Sequence, residues 1–406
     1  MSIISIFGGD YCKRDELVQQ ILDRTGRRHY TDQDILARAS ELGEMPAHKI
    51  ERAFTAKTSV FNKFTHEKER SLAYLRLAVA RIIQEDNIIV SGFAGQLIPN
   101  SIAHVVRVCL VADMKFRIAQ LMETEGVSEK EALKRIHKTD EDRAAWISSL
   151  FGQNDPWQAS LYDIMLPTDK MTMDEALGLI LKYSDESILK TTASSRQAAN
   201  DFLLAAEVGL VLARAGHDVE VTAKNGEVTL TINKNVFMLQ RLEEELKALA
   251  GPVPGLKSVS TKVGKGFHQT DVYRRYDFEV PSKVLLVDDE REFAQTLSER
   301  LVMREMGSTV AYDGESALDL IREDEPEVMI LDLKMPGIDG IEVLRRVKLT
   351  NPEVEVIILT GQGSEADRKT CLELGAFAYL QKPVDIDQLS QTLKSAYEKN
   401  RRRQAR

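Results

Sequence analysis

The chain has 406 residues, of which 43% are hydrophobic and 29% charged, with a formal net charge of −9. At about 150 residues per domain, this length implies two or three separate cores. The globular balance excludes a disordered chain, and the acidic surface argues against a protein devoted to nucleic acid.

"SIISIF" reads as a short strand that breaks on Gly8 and Gly9. "DELVQQILDRTG" has helical spacing and stops at Gly26, and "KERSLAYLRLAVARIIQED" is a long helix feeding the apolar strand "NIIVSGF". "HVVRVCLVAD" is a further strand that leads into the helix "MKFRIAQLMETEG". Strands alternating with helices from Met1 to about Tyr183 predict a parallel α/β sheet.

Between about Ser184 and Pro281 the texture changes. "SRQAANDFLLAAEVGLVLARAG" is a helix ending at Gly216, and "DVEVTAKNGEVTLTINK" is a hairpin turning on Asn225 and Gly226. The helix "VFMLQRLEEELKALAGPVPG" and the strand "LKSVSTKVG" complete a small α+β unit. "KGFHQTDVYRRYDFEVPS" reads as a connector with some β character, and His217, lacking an acidic or cysteine partner at ligand spacing, reads as exposed.

From Lys283 to about Asn400 the alternation is cleaner. "KVLLVDD", "STVAYD", "VMILDLK", "VEVIILTG" and "AFAYLQKP" are strands separated by helical stretches such as "EFAQTLSERLVMREMG" and "GESALDLIRED". Nearly continuous apolar runs imply strands covered on both faces, hence a doubly wound sheet. The tail "KNRRRQAR" reads as a solvated basic end. Cys12, Cys109 and Cys371 lie far apart without a C-x-x-C pair, so reduced, mostly buried thiols are expected rather than disulfides or zinc ligands. No apolar stretch reaches membrane-span length, and no basic region precedes the first apolar run, so the expected location is cytoplasmic.

In the last region each of four strands stays apolar until its C-terminal end and then presents a functional side chain. Asp288 and Asp289 end the first, Asp332 the third, Thr360 the fourth and Lys382 the fifth. Such ends converge on the crevice at the topological switch point of an open sheet. Carboxylates crowded there need a cation, and hard oxygen ligands with room for water suit Mg²⁺. With charge neutralised, one carboxylate can attack a phosphoryl group while an ammonium and a hydroxyl hold its oxygens. Asp332, at the end of the central strand, is the natural nucleophile.

"LLVDDE", "ILDLKMPGIDG", "ILTGQG" and "YLQKP", in that order and spacing, resemble the receiver domain of two-component response regulators, a flavodoxin-like fold. The resemblance implies phosphoryl transfer from a sensor histidine kinase to Asp332. It further implies Mg²⁺ held by Asp289, Asp332 and the Lys334 backbone carbonyl with help from Asp288, phosphoryl contacts from Thr360 and Lys382, Tyr379 as an aromatic switch, and a cis bond before Pro383.

The N-terminal stretch "VCLVADMKFRIAQLMETEGVSEKEALKRIHKTDEDRAAWISSLFG", with "RRHYTDQDIL" before it and "DPWQASLYDIML" after it, resembles the cytidylate kinase-like family, in the P-loop nucleoside monophosphate kinase fold. By that resemblance Arg117, Lys138 and Arg143 face phosphate, and Asp140 belongs to the lid motif "KTDEDR". Lys13 could add positive charge at the phosphate loop. Where that family carries a glycine-rich loop, however, this chain has "GGDYCKR", with bulky residues that hinder close backbone approach and an aspartate that repels phosphate. "EVTAKNGEVTLTINKNVFMLQRLEEELKALAGPVPGLKSVSTKV" resembles a BON domain, which implies docking rather than chemistry.

The expected organisation is a cytidylate kinase-like domain at 1–185, a BON-like α+β domain at 194–265, a connector at 266–281 and a receiver at 282–400. The expected function is that of a response regulator controlling its upstream module, which senses a nucleotide or binds a protein. The alternative is a working cytidylate-type kinase regulated by its receiver. No DNA-binding helix-turn-helix is evident, and a homodimer is among the possible assemblies.

Overall fold

The structure is a computed structural model that describes residues 2–43, 45–186, 189–236, 238–267 and 280–404. Contacts divide the chain into two compact units, Met1–Thr58 with Glu67–Tyr273, and Ser59–His66 with Arg274–Arg406.

The first unit contains a five-stranded sheet of β1 (Ile3–Gly8), β2 (Arg28–Thr31), β3 (Ile88–Ser91), β4 (Val105–Val111) and β5 (Ile164–Pro167), in the order β2-β3-β1-β4-β5. All its pairings are parallel, as the alternation of strands and helices predicts. The central strand β1 is buried along its whole length, which is why its sequence is apolar almost throughout. The first helix, Arg14–Thr25, stops at Gly26 in a left-handed conformation (φ 63°), which spares the Cβ penalty. After β4 come the helices Met114–Glu125 and Glu129–Phe151; the second is capped by the Ser128 side chain and also ends on a left-handed glycine, Gly152.

The helix Ala193–Arg214 serves two cores of this unit. Its Ala199, Ala206 and Leu210 pack with the large sheet's core, while Leu204, Val208 and Leu212 pack with a second core. That second core lies on the sheet β6 (Glu220–Lys224), β7 (Glu227–Ile232) and β8 (Ser258–Val263), where β6 and β7 are antiparallel and β7 and β8 parallel. Asn225 (φ 55°) and Gly226 (φ 87°) both take positive φ at the hairpin, as a tight two-residue turn requires. The helix Leu239–Ala250 completes the expected helix, hairpin, helix and strand.

His217 departs from expectation. It is buried rather than exposed, with Nε2 3.4 Å from a Glu245 carboxylate oxygen. The partner arrives from a helix 28 positions later, outside any local spacing rule. Most of the connector, residues 268–279, lies outside the described residues, and so does the β character expected of it.

The second unit carries β9 (Val284–Val287), β10 (Ser308–Ala311), β11 (Val328–Leu331), β12 (Glu355–Thr360) and β13 (Ala378–Gln381), in the order β10-β9-β11-β12-β13 and all parallel. Leu285, Val287, Met329, Leu331, Val356 and Ile358 enter one core, while the alternate residues Val284, Leu286, Val328, Ile330, Ile357 and Leu359 enter another. Both faces of the sheet are therefore covered, the physical basis of its unbroken apolar strands. The order reverses between β9 and β11, which places a switch-point crevice at their C-terminal ends.

The basic tail continues the helix Ile386–Gln404, and its Arg401, Arg402 and Arg403 are exposed, as expected of a solvated end; Arg403 in addition donates to Glu355, a residue with 0% exposure, at 3.0 Å. All three cysteines are buried and free. Among the described residues, no helix is long and apolar enough to cross a membrane.

Candidate functional site

Parallel register sets the crevice of the second unit. Val287 pairs with Leu331, so Asp288 and Asp332 lie side by side one residue beyond the strands, and Thr360 pairs with Gln381, just before Lys382. Oxygens of Asp288, Asp289 and Asp332 lie within 4.8 Å of one another. The Lys382 ammonium lies 2.7 Å from Asp288 Oδ2, 3.3 Å from Asp332 Oδ2 and 3.1 Å from Glu290 Oε1. Its peptide bond to Pro383 is cis.

The two oxygens of Asp332 are differentiated. Oδ1 accepts from the Leu333 N–H at 2.6 Å and the Lys334 N–H at 3.5 Å, whereas Oδ2 faces Lys382. Burial pushes the Asp288 carboxyl up from its ordinary value against the pull of Lys382. For Lys382, burial acts downward, but its hydrogen bonds to Asp288 and Glu290 prevail and hold it raised, hence charged at neutral pH.

Thr360 is fully buried, and its hydroxyl accepts from Gln362 N–H at 3.4 Å. Among the described residues the buried Tyr379 hydroxyl has no hydrogen-bond partner, and it fills the space over Gly363. A Cβ at 363 would lie 1.6 Å from the Tyr379 hydroxyl and 2.9 Å from Thr360 Cγ2, so the three residues share one small volume.

Asp288, Asp289, Asp332 and Lys382 thus come together at this crevice, Thr360 and Tyr379 meet around Gly363, and two further residues join them. Glu290 was legible as the third acid of "DDE", while Phe293, whose ring lies 4.4 Å below the Lys382 ammonium, carries no local signal. Three carboxylates against one ammonium leave a surplus of negative charge, and the all-oxygen donor set suits a hard divalent cation such as Mg²⁺.

In the first unit the basic residues divide. Arg117 and Arg143, both nearly fully buried, converge on the Gly8–Asp10 loop. Arg117 donates to the Asp10 carbonyl at 2.9 Å and clasps Asp140 through two bonds of 2.8 Å. Arg143 donates to the Gly8 carbonyl at 2.8 Å and to both oxygens of the Asp10 carboxylate. Lys138 is exposed, and among the described residues no hydrogen bond or ion pair joins it to this cluster. Lys13 sits in a left-handed conformation ahead of the first helix, its ammonium 3.8 Å from Glu16. A cavity of about 270 Å³ opens beside the loop, lined by Asp10, Asp32, Phe54, Phe93, Asp142 and Arg143 among others. Burial pushes the Cys12 thiol up to about 11, so the loop carries no thiolate at neutral pH.

Residues 284–394 match the response regulator receiver domain, and residues 3–170 match the cytidylate kinase-like family. Response regulator MprA of Mycolicibacterium vanbaalenii is 36% identical over 110 residues, 27% of this chain and 48% of that protein. Transcriptional regulatory protein CpxR of Escherichia coli K12 is 45% identical over 108 residues, 27% of this chain and 46% of that protein. The solved receiver domain of the Francisella response regulator 1452 is 35% identical and covers 29% of this chain and 97% of its own, with a TM-score of 0.28. The chain spans about half the length of the curated relatives it matches. Its C-terminal domain is homologous to the receiver domains of response regulators, and its N-terminal region matches the cytidylate kinase-like family.

Proposed function

We propose that the chain is a two-component response regulator that accepts a phosphoryl group on Asp332 from the phosphohistidine of a sensor histidine kinase. The observation that carries this reading is the arrangement around Asp332: a buried carboxylate with one oxygen held by backbone N–H groups and the other facing Lys382. Asp332 Oδ2 attacks phosphorus, the P–O bond forms as the P–N bond of the donor breaks, and the departing imidazole keeps the electron pair and takes a proton. The Lys382 ammonium follows the transferred oxygens, and the Thr360 hydroxyl donates to another. A Mg²⁺ held by Asp288, Asp289, Asp332 and the Lys334 carbonyl would neutralise charge on the phosphoryl oxygens.

Phosphorylation adds charge at the crevice, and Thr360 turning toward it vacates volume beside Tyr379, whose unpartnered hydroxyl is free to follow. The aromatic switch reads this movement out to the upstream kinase-like and BON-like module. The domain limits 1–185, 194–265, 266–281 and 282–400, a cytoplasmic location, and a nucleotide or protein partner or a homodimer belong to the same proposal. Incubation of the full chain with labelled acetyl phosphate and Mg²⁺ tests it: label is expected on the wild type and none on Asp332→Asn. Equal labelling of both would overturn the reading.

A further inference from the structure

Phosphate-binding loops work because backbone N–H groups and unspent cationic side chains point at an empty place. Around Gly8–Asp10 that place is not empty. The guanidinium of Arg143 spends its donors inside the protein: Nε on the Gly8 carbonyl at 2.8 Å, Nη1 on the Thr139 carbonyl at 2.9 Å, and both Nη groups on the Asp10 carboxylate. Arg117 is spent likewise on the Asp10 carbonyl and on Asp140. Two arginines face two aspartates, so the buried cluster carries no surplus positive charge. We propose that Asp10 is a built-in anion that occupies the phosphoryl position of this loop, so that a phosphoryl-bearing ligand binds only when the Asp10 carboxylate is removed or displaced. This inference rests on the kinase-like reading of the N-terminal region.

Three further features agree. Burial alone would raise the Asp10 carboxyl, but the charge and hydrogen bonds of Arg143 prevail and hold it below its ordinary value, so it is ionised at neutral pH. A Cβ added at Gly9 would lie 2.9 Å from Arg117 Cζ, so the absence of a side chain there serves close approach of an arginine that is already paired. Among the described residues the adjoining cavity adds Asp32, whose carboxyl burial holds above its ordinary value, and the carboxylates of Glu51 and Asp142 against one further cation, Arg14, so that Glu51 and Asp142 alone leave it net negative and unwelcoming to phosphate. The arginines themselves are those a phosphate site would use. What differs from such a site is the tenant.

The test is a calorimetric titration of the full chain with inorganic phosphate and, separately, with CMP. Wild type is expected to bind both at least tenfold more weakly than Asp10→Ala, with Asp10→Asn showing a smaller gain because it keeps the side chain's bulk. The gain should disappear in the double variant Asp10→Ala with Arg143→Ala. Phosphate binding to wild type as tight as to Asp10→Ala overturns the proposal, and so does a folded Asp10→Ala that gains nothing. If Asp10→Ala fails to fold, the near-isosteric Asp10→Asn decides by the same criteria. A gain for phosphate without a gain for CMP supports the internal anion while counting against the nucleotide reading on which it rests.

Discussion

Replacing Lys382 by methionine keeps most of the side-chain stem over Phe293 but removes the ammonium that sits among three carboxylates. At 2.7 Å from Asp288, and with an effective dielectric constant of about 20, the gross attraction is about 6 kcal/mol. Desolvation of both groups offsets much of it. The loss is nonetheless that of breaking a buried pair, because Asp288 is 1% exposed and cannot regain water. The bond to Glu290 adds little, since that side chain is 66% exposed. The expected cost is about 3 kcal/mol, the lower end of the range for an orphaned buried charge. Urea unfolding followed by circular dichroism, with a chelator present, measures it. Added Mg²⁺ should stabilise Lys382→Met more than wild type, because the cation no longer competes with an ammonium for the same oxygens. A loss below about 1 kcal/mol, the worth of an exposed pair, or an equal Mg²⁺ response in both proteins, would refute the reasoning.

Gly363→Ala should cost about 1–3 kcal/mol by overpacking, since its Cβ would meet the Tyr379 hydroxyl; Tyr379→Phe should recover part of that loss in a double-mutant cycle, and alone should be near neutral because the hydroxyl has no partner to lose. Glu355→Gln should lose about 1–3 kcal/mol in urea unfolding, because a fully buried carboxylate receives Lys399 at 2.9 Å, Arg403 at 3.0 Å and Lys348 at 3.8 Å. The lowered carboxyl of Asp10 makes its contribution to stability complete above the ordinary carboxylate range, and that contribution is lost as pH falls through the lowered native value. Thermal melts of wild type should therefore weaken more steeply on acidification than those of Asp10→Asn, and parallel curves would contradict the pairing with Arg143.

What could be read from the sequence follows from where the physics is local. The strands β9, β11 and β12 stand out because each is buried along its whole length and bounded by turns, the partly exposed edges β10 and β13 follow from the alternation with helices, and the functional residues stand out because polar side chains end apolar runs. In the large N-terminal sheet β1, β3 and β4 are legible for the same reason. The edge strands β2, "RHYT", and β5, "IMLP", are only partly buried and lack the complete burial that marks β1 and β3. The acidic crevice was legible residue by residue, but its partnering was not: nothing in the sequence places Phe293 beneath Lys382. The same holds for the N-terminal loop, where the basic residues could be recognised and their occupation could not. Arg143 reaches Asp10 across 133 positions, and His217 meets Glu245 from a separate helix. Pairing of charges at such separations is decided by packing, which leaves no periodic trace.

The most direct test is to locate the transferred group. The full chain is treated with acetyl phosphate and Mg²⁺, then with hydroxylamine, which cleaves an acyl phosphate and leaves a hydroxamate on the carboxyl that carried it. Peptide mass mapping is expected to place that hydroxamate on Asp332 alone, and to find none without Mg²⁺. A hydroxamate on Asp288 or Asp289 instead, or a phosphoryl group that survives hydroxylamine on a serine or threonine, would contradict the account.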